Sequence, residues 1–468
     1  KSRLQSMASN DELRNSVIGE GMMIPGLTGD VPLVYADYVA SGRAMRPVED
    51  FVMEHVLPFY ANSHTEASFC GSYITRLRRS ARAEITRLVG AQEEDAGIFT
   101  GSGATAGLHR LVSLMGIETA DQPVVFLGPY EQHSNILPWR ESGAQVVEIP
   151  EAPEGGVDLE ALAQALKAHA DSDLKIGSFS AASNVTGIVT DPDPVTRLLH
   201  DHGALAIWDY AGGGPYLAMD MGARGAEPKD AIVVSPHKFP GGPGASGILV
   251  MNRNIARRTA PSWPGGGTVS FVSPWGHAYS DDLATREEAG TPNVIGDIRA
   301  ALAFLVKEAV GQQTIAEREH RFARRAWEAW GDNPQINVLG HADAERLPIF
   351  SFQVADKAGT PVHQQLFTRM LSDVYGIQAR GGCACAGPYA HRLLGIDQAA
   401  SRALHADLDA GHELRKPGWV RLNFSYLMDE KTVEFILHSV ADLAENVHRY
   451  IPHYTVDPAT ARFTSLAA

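Results

Sequence analysis

Cysteine is nearly missing from this chain, with three residues in 468. Three thiols cannot build a disulfide framework, which excludes the disulfide-stapled secreted class and points to a reducing compartment. Long apolar runs are missing as well: no stretch approaches the roughly 18 residues that a membrane-spanning helix needs. The first residues, KSRLQSMASNDEL, lack an apolar core, so no signal peptide is expected. Basic blocks are absent and the net charge is −15, so neither nucleic acid nor an anionic membrane is the expected partner. There is no internal repeat and no low-complexity tract. What is present is an ordinary globular composition, 44% apolar and 20% charged, on a chain long enough for two domains. The expectation is a cytoplasmic protein.

The middle of the chain alternates between two patterns. Short apolar runs read as buried strands: PVVFLG (123–128), KIGSFSA (175–181), ALAIWDY (204–210), DAIVVSP (230–236) and SGILVM (246–251). Helical patterns lie between them at 105–116, 158–170 and 193–203. This alternation predicts an α/β domain whose mostly parallel sheet is covered by helices on both faces. Long helices are predicted around 290–310 and at 314–331. Beyond them RLPIFSFQV and WVRLNFSY read as strands, while VHQQLFTRMLSDVYG and the last apolar-periodic stretch read as helices. The division expected is a large domain over 31–309 and a smaller α+β domain over 310–468, with residues 1–30 packing on the smaller one. The stretch 389–417 reads as an insertion carrying a short helix or two.

Ligands of open α/β sheets sit beyond the carboxyl ends of the strands, so the residues that follow each run matter most. After AGIF comes TGSGATAG, with Gly103, Ala104 and Thr105 at a helix start, a pattern that offers backbone N–H groups and hydroxyls to a phosphate. After VVFLG comes His133, after GSFSA comes Asn184, and after ALAIW comes Asp209. After AIVV comes SPHKFPGGPG, which sets Ser235, His237 and Lys238 beside a run of glycines. Each has an ordinary explanation alone: a plain turn, a surface histidine, a helix cap, a solvated lysine. Together, at successive strand ends, they are what pyridoxal 5′-phosphate requires. The phosphate needs donors, the pyridine nitrogen a carboxylate, the ring a flat partner and the aldehyde a lysine.

From VYADYVASG (34–42) to the last helix the chain resembles the class V, fold-type I pyridoxal phosphate enzymes of the cysteine desulfurase group. That resemblance implies that Lys238 of SPHK bonds the cofactor aldehyde, Asp209 of WDYAG pairs with the pyridine nitrogen and His133 of EQHSN stacks on the ring. Asn184 would reach the ring hydroxyl and the substrate, and Gly103, Ala104, Thr105, Ser235 and His237 would hold the phosphate. Thr291 of EAGTPN would reach the phosphate of a neighbouring subunit in a homodimer. Arg421 of WVRLNFSY would clamp the substrate carboxylate. His64 of NSHTEASFCG is a candidate substrate contact, although that segment fits the family's histidine motif poorly. Gly212 stands where the family usually has a glutamine that hydrogen-bonds the ring hydroxyl.

Two of the three cysteines lie in YGIQARGGCACAGPY. Arg380 precedes Cys385 by five residues, as an arginine precedes the catalytic cysteine in desulfurases, so the resemblance makes Cys385 the nucleophile for L-cysteine or a related amino acid. In its cysteine motif the chain is most similar to the desulfurase domain of molybdenum cofactor sulfurases. An ordinary thiol is only about 3% thiolate at pH 7, and Arg380 is the nearest cation in sequence. Cys383 reads either as a persulfide relay or as a small buried hydrophobe, and Cys70 as structural. Zinc is disfavoured because two thiols one residue apart lack the usual metal-ligand spacing. The same cofactor residues would also serve a C–S lyase, an aminotransferase or an epimerase. A non-catalytic sulfur-carrier scaffold is the alternative from another class. A desulfurase would need a sulfur-acceptor protein or a small thiol as partner.

Overall fold

A computed structural model describes residues 10–466. Contacts divide the chain into two compact units, one comprising Ser41–Ala182 and Thr190–Gln312, the other Asn10–Ala40, Ser183–Val189 and the chain from Gln313 onward.

The first unit is built on a seven-stranded sheet. Its strands are β1 (Asp95–Gly101), β2 (Val124–Leu127), β3 (Gln145–Glu148), β4 (Lys175–Ser180), β5 (Leu205–Asp209), β6 (Ala231–Val234) and β7 (Gly247–Asn252), in the order β1-β7-β6-β5-β4-β2-β3. The five strands from β6 to β3 run parallel, and β7 lies antiparallel to both of its neighbours. The apolar runs of the sequence are these strands. VVFL of β2 and AIVV of β6 are buried at every position, as strands covered on both faces must be. β3 shows only partial burial and no strong apolar run, so sequence reading passes over it.

Helix α1 spans Phe69–Leu88, α2 Gly103–Leu114, α3 Leu159–Ala168, α4 Pro192–Asp201 and α5 Val294–Val310. Leu108 and Leu111 of α2 pack with Val125, Ile176, Ile207, Val233 and Leu249 on one face of the sheet. Side chains alternate across a strand, so Trp208 points the other way. Its indole N–H donates to Thr196 of α4 at 2.9 Å. The start of α4 follows from its sequence: Asp191 caps it, accepting from the Asp193 N–H at 3.1 Å, and Pro192 sits where a missing N–H costs nothing.

The second unit holds a five-stranded antiparallel sheet of β8 (Ile336–Val338), β9 (Ile349–Ala355), β10 (Arg380–Gly382) and β11 (Trp419–Asn423), ordered β8-β9-β11-β10, with the short strand Pro361–Val362 pairing with the end of β9. Helices α6 (Gln312–Trp330), α7 (Gln364–Tyr375) and α9 (Glu430–Tyr450) supply its core. Phe322 and Trp330, Phe367 and Met370, and Ile436 and Val440 close over Phe350, Phe352, Val420 and Leu422. The insertion forms Gly387–Leu393 and α8 (Gln398–Asp409), tied by the His391 ring to the Ser401 hydroxyl at 2.9 Å.

Residues 31–40 and 183–189, which a division at 30 and 310 gives to the large domain, belong to this second unit. Val34–Tyr35 pairs in parallel with Ile377–Gln378. Ser351 of β9 donates to the Val185 carbonyl at 2.6 Å, and Leu347 N–H donates to Gly187 at 2.8 Å. Pairing between segments far apart in sequence makes these assignments, so no local pattern announces them. Residues 1–9 of the expected N-terminal segment lie outside the described residues. Among the described residues, no helix is long and apolar enough to cross a membrane.

Candidate functional site

In the first unit, the residues expected to hold a phosphate lie together where β1 gives way to α2. Gly103 opens the helix at φ +63°, and a Cβ there would lie 2.9 Å from Ser235 Oγ and 3.0 Å from His237 Cε1. Glycine is what lets the helix N-terminus approach these two side chains. Ala104 N–H donates to Ser235 Oγ at 2.9 Å, and the Thr105 hydroxyl lies 2.7 Å from that of Ser134. The helix dipole and the first-turn amides, with Ser235 beside them, suit this end to an anion. Burial, and then the neighbouring Lys238, push the His237 imidazole down to about 4. It is therefore a neutral hydrogen-bonding group at physiological pH.

Lys238 closes the single turn Pro236–Lys238 just after β6. Asp209 is the last residue of β5 and only 2% exposed. One of its oxygens, Oδ1, accepts from the Ala211 N–H at 2.7 Å, while Oδ2 is buried without a hydrogen-bond partner. Burial holds this carboxyl above its usual range, opposed in part by the Ala211 N–H bond and then by the charge of Lys238. A buried carboxylate oxygen with no donor is costly unless a cation meets it. His133 begins the turn His133–Asn135 that follows β2. Burial, with a smaller push from Arg140, holds its imidazole below the usual range, so it too is neutral. Gly212 sits in the irregular turn after β5 and offers no side chain. His64 and Thr291 are both exposed; His64 lies against Gly267, and neither is hydrogen-bonded to the group around Asp209.

The second unit gathers the other candidates. Arg380 on β10 and Arg421 on β11 are cross-strand partners. Between them sits Asp37, whose Oδ2 lies 3.3 Å from Arg380 Nε and whose Oδ1 lies 3.4 Å from Arg421 Nη2. Arg421 also donates to the Asn184 carbonyl at 3.1 Å. The amide of Asn184 donates to the Ala384 carbonyl at 2.8 Å, while its own Oδ1 is buried without a partner. Ala384 and Cys385 both take left-handed backbone, at φ +55° and +56°, which non-glycine residues seldom adopt. Cys385 is exposed, Cys383 and Cys70 are half-buried, and all three are free thiols. The guanidinium of Arg380 is half exposed and contacts Asp37.

Sequence reading missed Asp37 and Glu131. Asp37 lies inside VYADYVASG, and an acid beside a family motif was the available signal. Glu131 lies two residues before His133 and is 3% exposed; a carboxylate bounded by a buried strand and a motif histidine was its signal.

These residues fit pyridoxal 5′-phosphate. The orphaned Asp209 Oδ2 suits a protonated pyridine nitrogen, Lys238 an aldehyde, His133 a ring face, and the Gly103–Ala104 amides with Ser235 and His237 a phosphate. Residues 34–434 match the aminotransferase class V family. The chain is 30% identical over 366 residues to a probable cysteine desulfurase of Vibrio cholerae, covering 76% of this chain and 85% of that one. It is 26% identical over 362 residues to a probable cysteine desulfurase of Halalkalibacterium halodurans, with the same two shares. Among solved structures it is similar to the apo cysteine desulfurase of Thermococcus onnurineus, with a TM-score of 0.74 and 24% identity over 88% of this chain and 94% of that one. A cysteine desulfurase of Escherichia coli follows with a TM-score of 0.69 and 21% identity over the same shares. The likeness to molybdenum cofactor sulfurases remains an expectation of the cysteine motif alone. The chain thus has the fold-type I architecture and belongs to the class V aminotransferase family of pyridoxal 5′-phosphate enzymes.

Proposed function

We propose that this chain is a cysteine desulfurase, which takes the sulfur of L-cysteine onto Cys385 as a persulfide and releases L-alanine. The observation that carries the reading is Cys385 itself. It is exposed, set in left-handed backbone, and follows by five residues an arginine that shares Asp37 with Arg421. Cysteine desulfurase is also what the curated relatives are named.

Pyridoxal phosphate supplies the electron sink that lets a Cα proton leave. The chain's own residues do the rest. Lys238 would hold the cofactor through its aldehyde, and its Nζ would carry the Cα proton. Asp209 keeps a positive charge on the pyridine nitrogen. His133, uncharged, stacks without adding a competing charge. Arg421 holds the substrate carboxylate with its guanidinium fork. The Cys385 thiolate attacks the substrate sulfur; the new S–S bond forms as the Cβ–S bond breaks, and a proton goes to Cβ to give alanine. Atoms balance: L-cysteine and a protein thiol become L-alanine and a protein persulfide. Cys383, two residues back, would relay the persulfide, and an acceptor protein or small thiol would remove it. The three free thiols support a reducing, cytoplasmic setting. A homodimer, with Thr291 serving the neighbour's phosphate, completes the reading.

The test is product analysis with L-cysteine and a reductant for the wild type and Cys385→Ala. Alanine and sulfide from the wild type, both lost in the variant with the cofactor's visible absorbance unchanged, are expected. Pyruvate and ammonia produced equally by both would make the enzyme a C–S lyase instead.

A further inference from the structure

Behind the cofactor half of the site lies a buried network that the proposed reaction leaves unused. Glu131 is 3% exposed, and both of its oxygens are occupied. Oε1 accepts from the backbone N–H of Ser180 at 2.8 Å. Oε2 lies 2.7 Å from the Ser180 hydroxyl and 2.6 Å from Asn135 Nδ2. Ser180 ends β4 and is the register partner of Asp209 on β5. Asn135 ends the turn that begins with His133. One carboxyl therefore fastens the turn of the ring-stacking candidate to the strand beside the pyridine-binding candidate.

The Asn135 side of this network has a fixed direction. Trp139 Nε1 can only donate, and it donates to Asn135 Oδ1 at 2.9 Å. The Ser178 hydroxyl donates to the same oxygen at 2.6 Å. The amide of Asn135 must therefore turn its NH2 toward Glu131, and Oε2 must keep a lone pair for it. A proton on Glu131 has one good place, on Oε2 pointing at Ser180 Oγ. Protonation of Glu131 therefore reverses its bond with the Ser180 hydroxyl, whose own hydrogen must then turn away.

We propose that Glu131 is a positioning residue for the cofactor: it locks the His133 turn onto β4, the strand beside that of Asp209, and sets the local charge behind Asp209 by gaining or losing its own proton. The surroundings support this. Burial first, and then the nearby negative charge of Asp209, push the Glu131 carboxyl up to about 7, against the pull of its Ser180 and Asn135 bonds. Of the groups packed around it, β4 gives Ser178 and Ser180, the turn gives Asn135 and the neutral His133, and β5 gives the charge of Asp209. The sign follows. Above neutral pH, an ionised Glu131 deepens the negative potential at the orphaned Asp209 oxygen and favours a cationic ring. Below it, Glu131 is neutral and that support disappears.

The inference rests on the cofactor being pyridoxal phosphate, not on the desulfurase reading, and its test uses no cysteine. Pyridoxal phosphate is titrated into the cofactor-free full chain between pH 6 and 8.5, and Kd is read for the wild type, Glu131→Gln and Ser180→Ala. Glutamine cannot ionise, and its NH2 opposes that of Asn135. The Kd ratio of Glu131→Gln to wild type should therefore grow about tenfold as pH rises through 7, one pKa unit of differential interaction. A ratio that is large but constant with pH would make Glu131 a structural strut and overturn the charge-setting role. Ser180→Ala removes one donor that stabilises the anion, so its pH midpoint should move upward; a midpoint identical to wild type also overturns the proposal, even if Glu131→Gln does not fold. A chain that shows the pH-dependent ratio but makes no sulfide keeps this inference and loses the desulfurase reading alone.

Discussion

Two arginines share Asp37, and their burial decides what each contributes. The Arg421 side chain is 4% exposed and that of Arg380 is 53% exposed. An exposed ion pair contributes about 0–1 kcal/mol, whereas removing one partner of a buried pair costs about 3–5 kcal/mol because the other charge is left stranded. Asp37→Asn should therefore destabilise the chain by about 3 kcal/mol in denaturant unfolding, and Arg380→Ala by less than about 1 kcal/mol. In the double variant part of the Asp37→Asn cost should return, because one of two facing guanidiniums is gone. Additive costs in the cycle would show that Asp37 does not couple the two arginines. In kinetics, Asp37→Asn should raise KM for cysteine more than it lowers kcat, since the clamp binds the substrate before and after the chemistry alike. None of this was legible from residue type. Arg421 and Arg380 were visible through the family resemblance of WVRLNFSY and of the cysteine motif. Asp37 was not, because an acid in a loop is commonplace and its partners lie more than 340 residues away.

Elements were more legible than side-chain partnerships. The buried strands β2, β4, β5, β6 and β7 appear as apolar runs because each is covered on both sides, and α2, α3 and α4 appear as amphipathic periods between them. β3 was hidden because an edge strand carries no such run. The turn Pro236–Lys238 was legible as chemistry but not as geometry. Its glycines are spacers in the sequence; in the structure one of them is a steric necessity. A Cβ on Gly242 would stand 1.9 Å from the Pro236 carbonyl oxygen and 2.9 Å from that of Phe239. Backbone cannot yield as a side-chain tip can, so Gly242→Ala must push the turn that carries Lys238. Overpacking of this kind costs about 1–3 kcal/mol. The variant is expected to lose that much stability and to bind pyridoxal phosphate at least about tenfold more weakly, a loss of about 1.4 kcal/mol in affinity. Wild-type affinity in Gly242→Ala would mean the turn tolerates displacement and that Lys238 is positioned from elsewhere.

At the scale of the whole molecule, the described residues of the first unit include an exposed apolar surface. The hairpin of Val269–Ser273 and Gly276–Tyr279 exposes Phe271 to 62%, Val272 to 63% and Trp275 to 92%. Large apolar side chains clustered on one projecting element mark an association surface more often than a solvated one. The proposed homodimer supplies an occupant, and it also gives a reason for Thr291 to be exposed in its own chain. Light scattering of the wild type should give a mass near twice that of the chain. Phe271→Ser with Trp275→Ser should raise the dimer dissociation constant by about 100-fold or more, because buried aromatic anchors dominate interface energies. If Thr291 serves the partner's phosphate, the same double variant should also weaken pyridoxal phosphate binding, and Thr291→Ala should weaken it without dissociating the dimer. A wild type that is monomeric and still binds the cofactor would remove the shared-site reading. The loss of binding in Thr291→Ala would then have to arise within one chain.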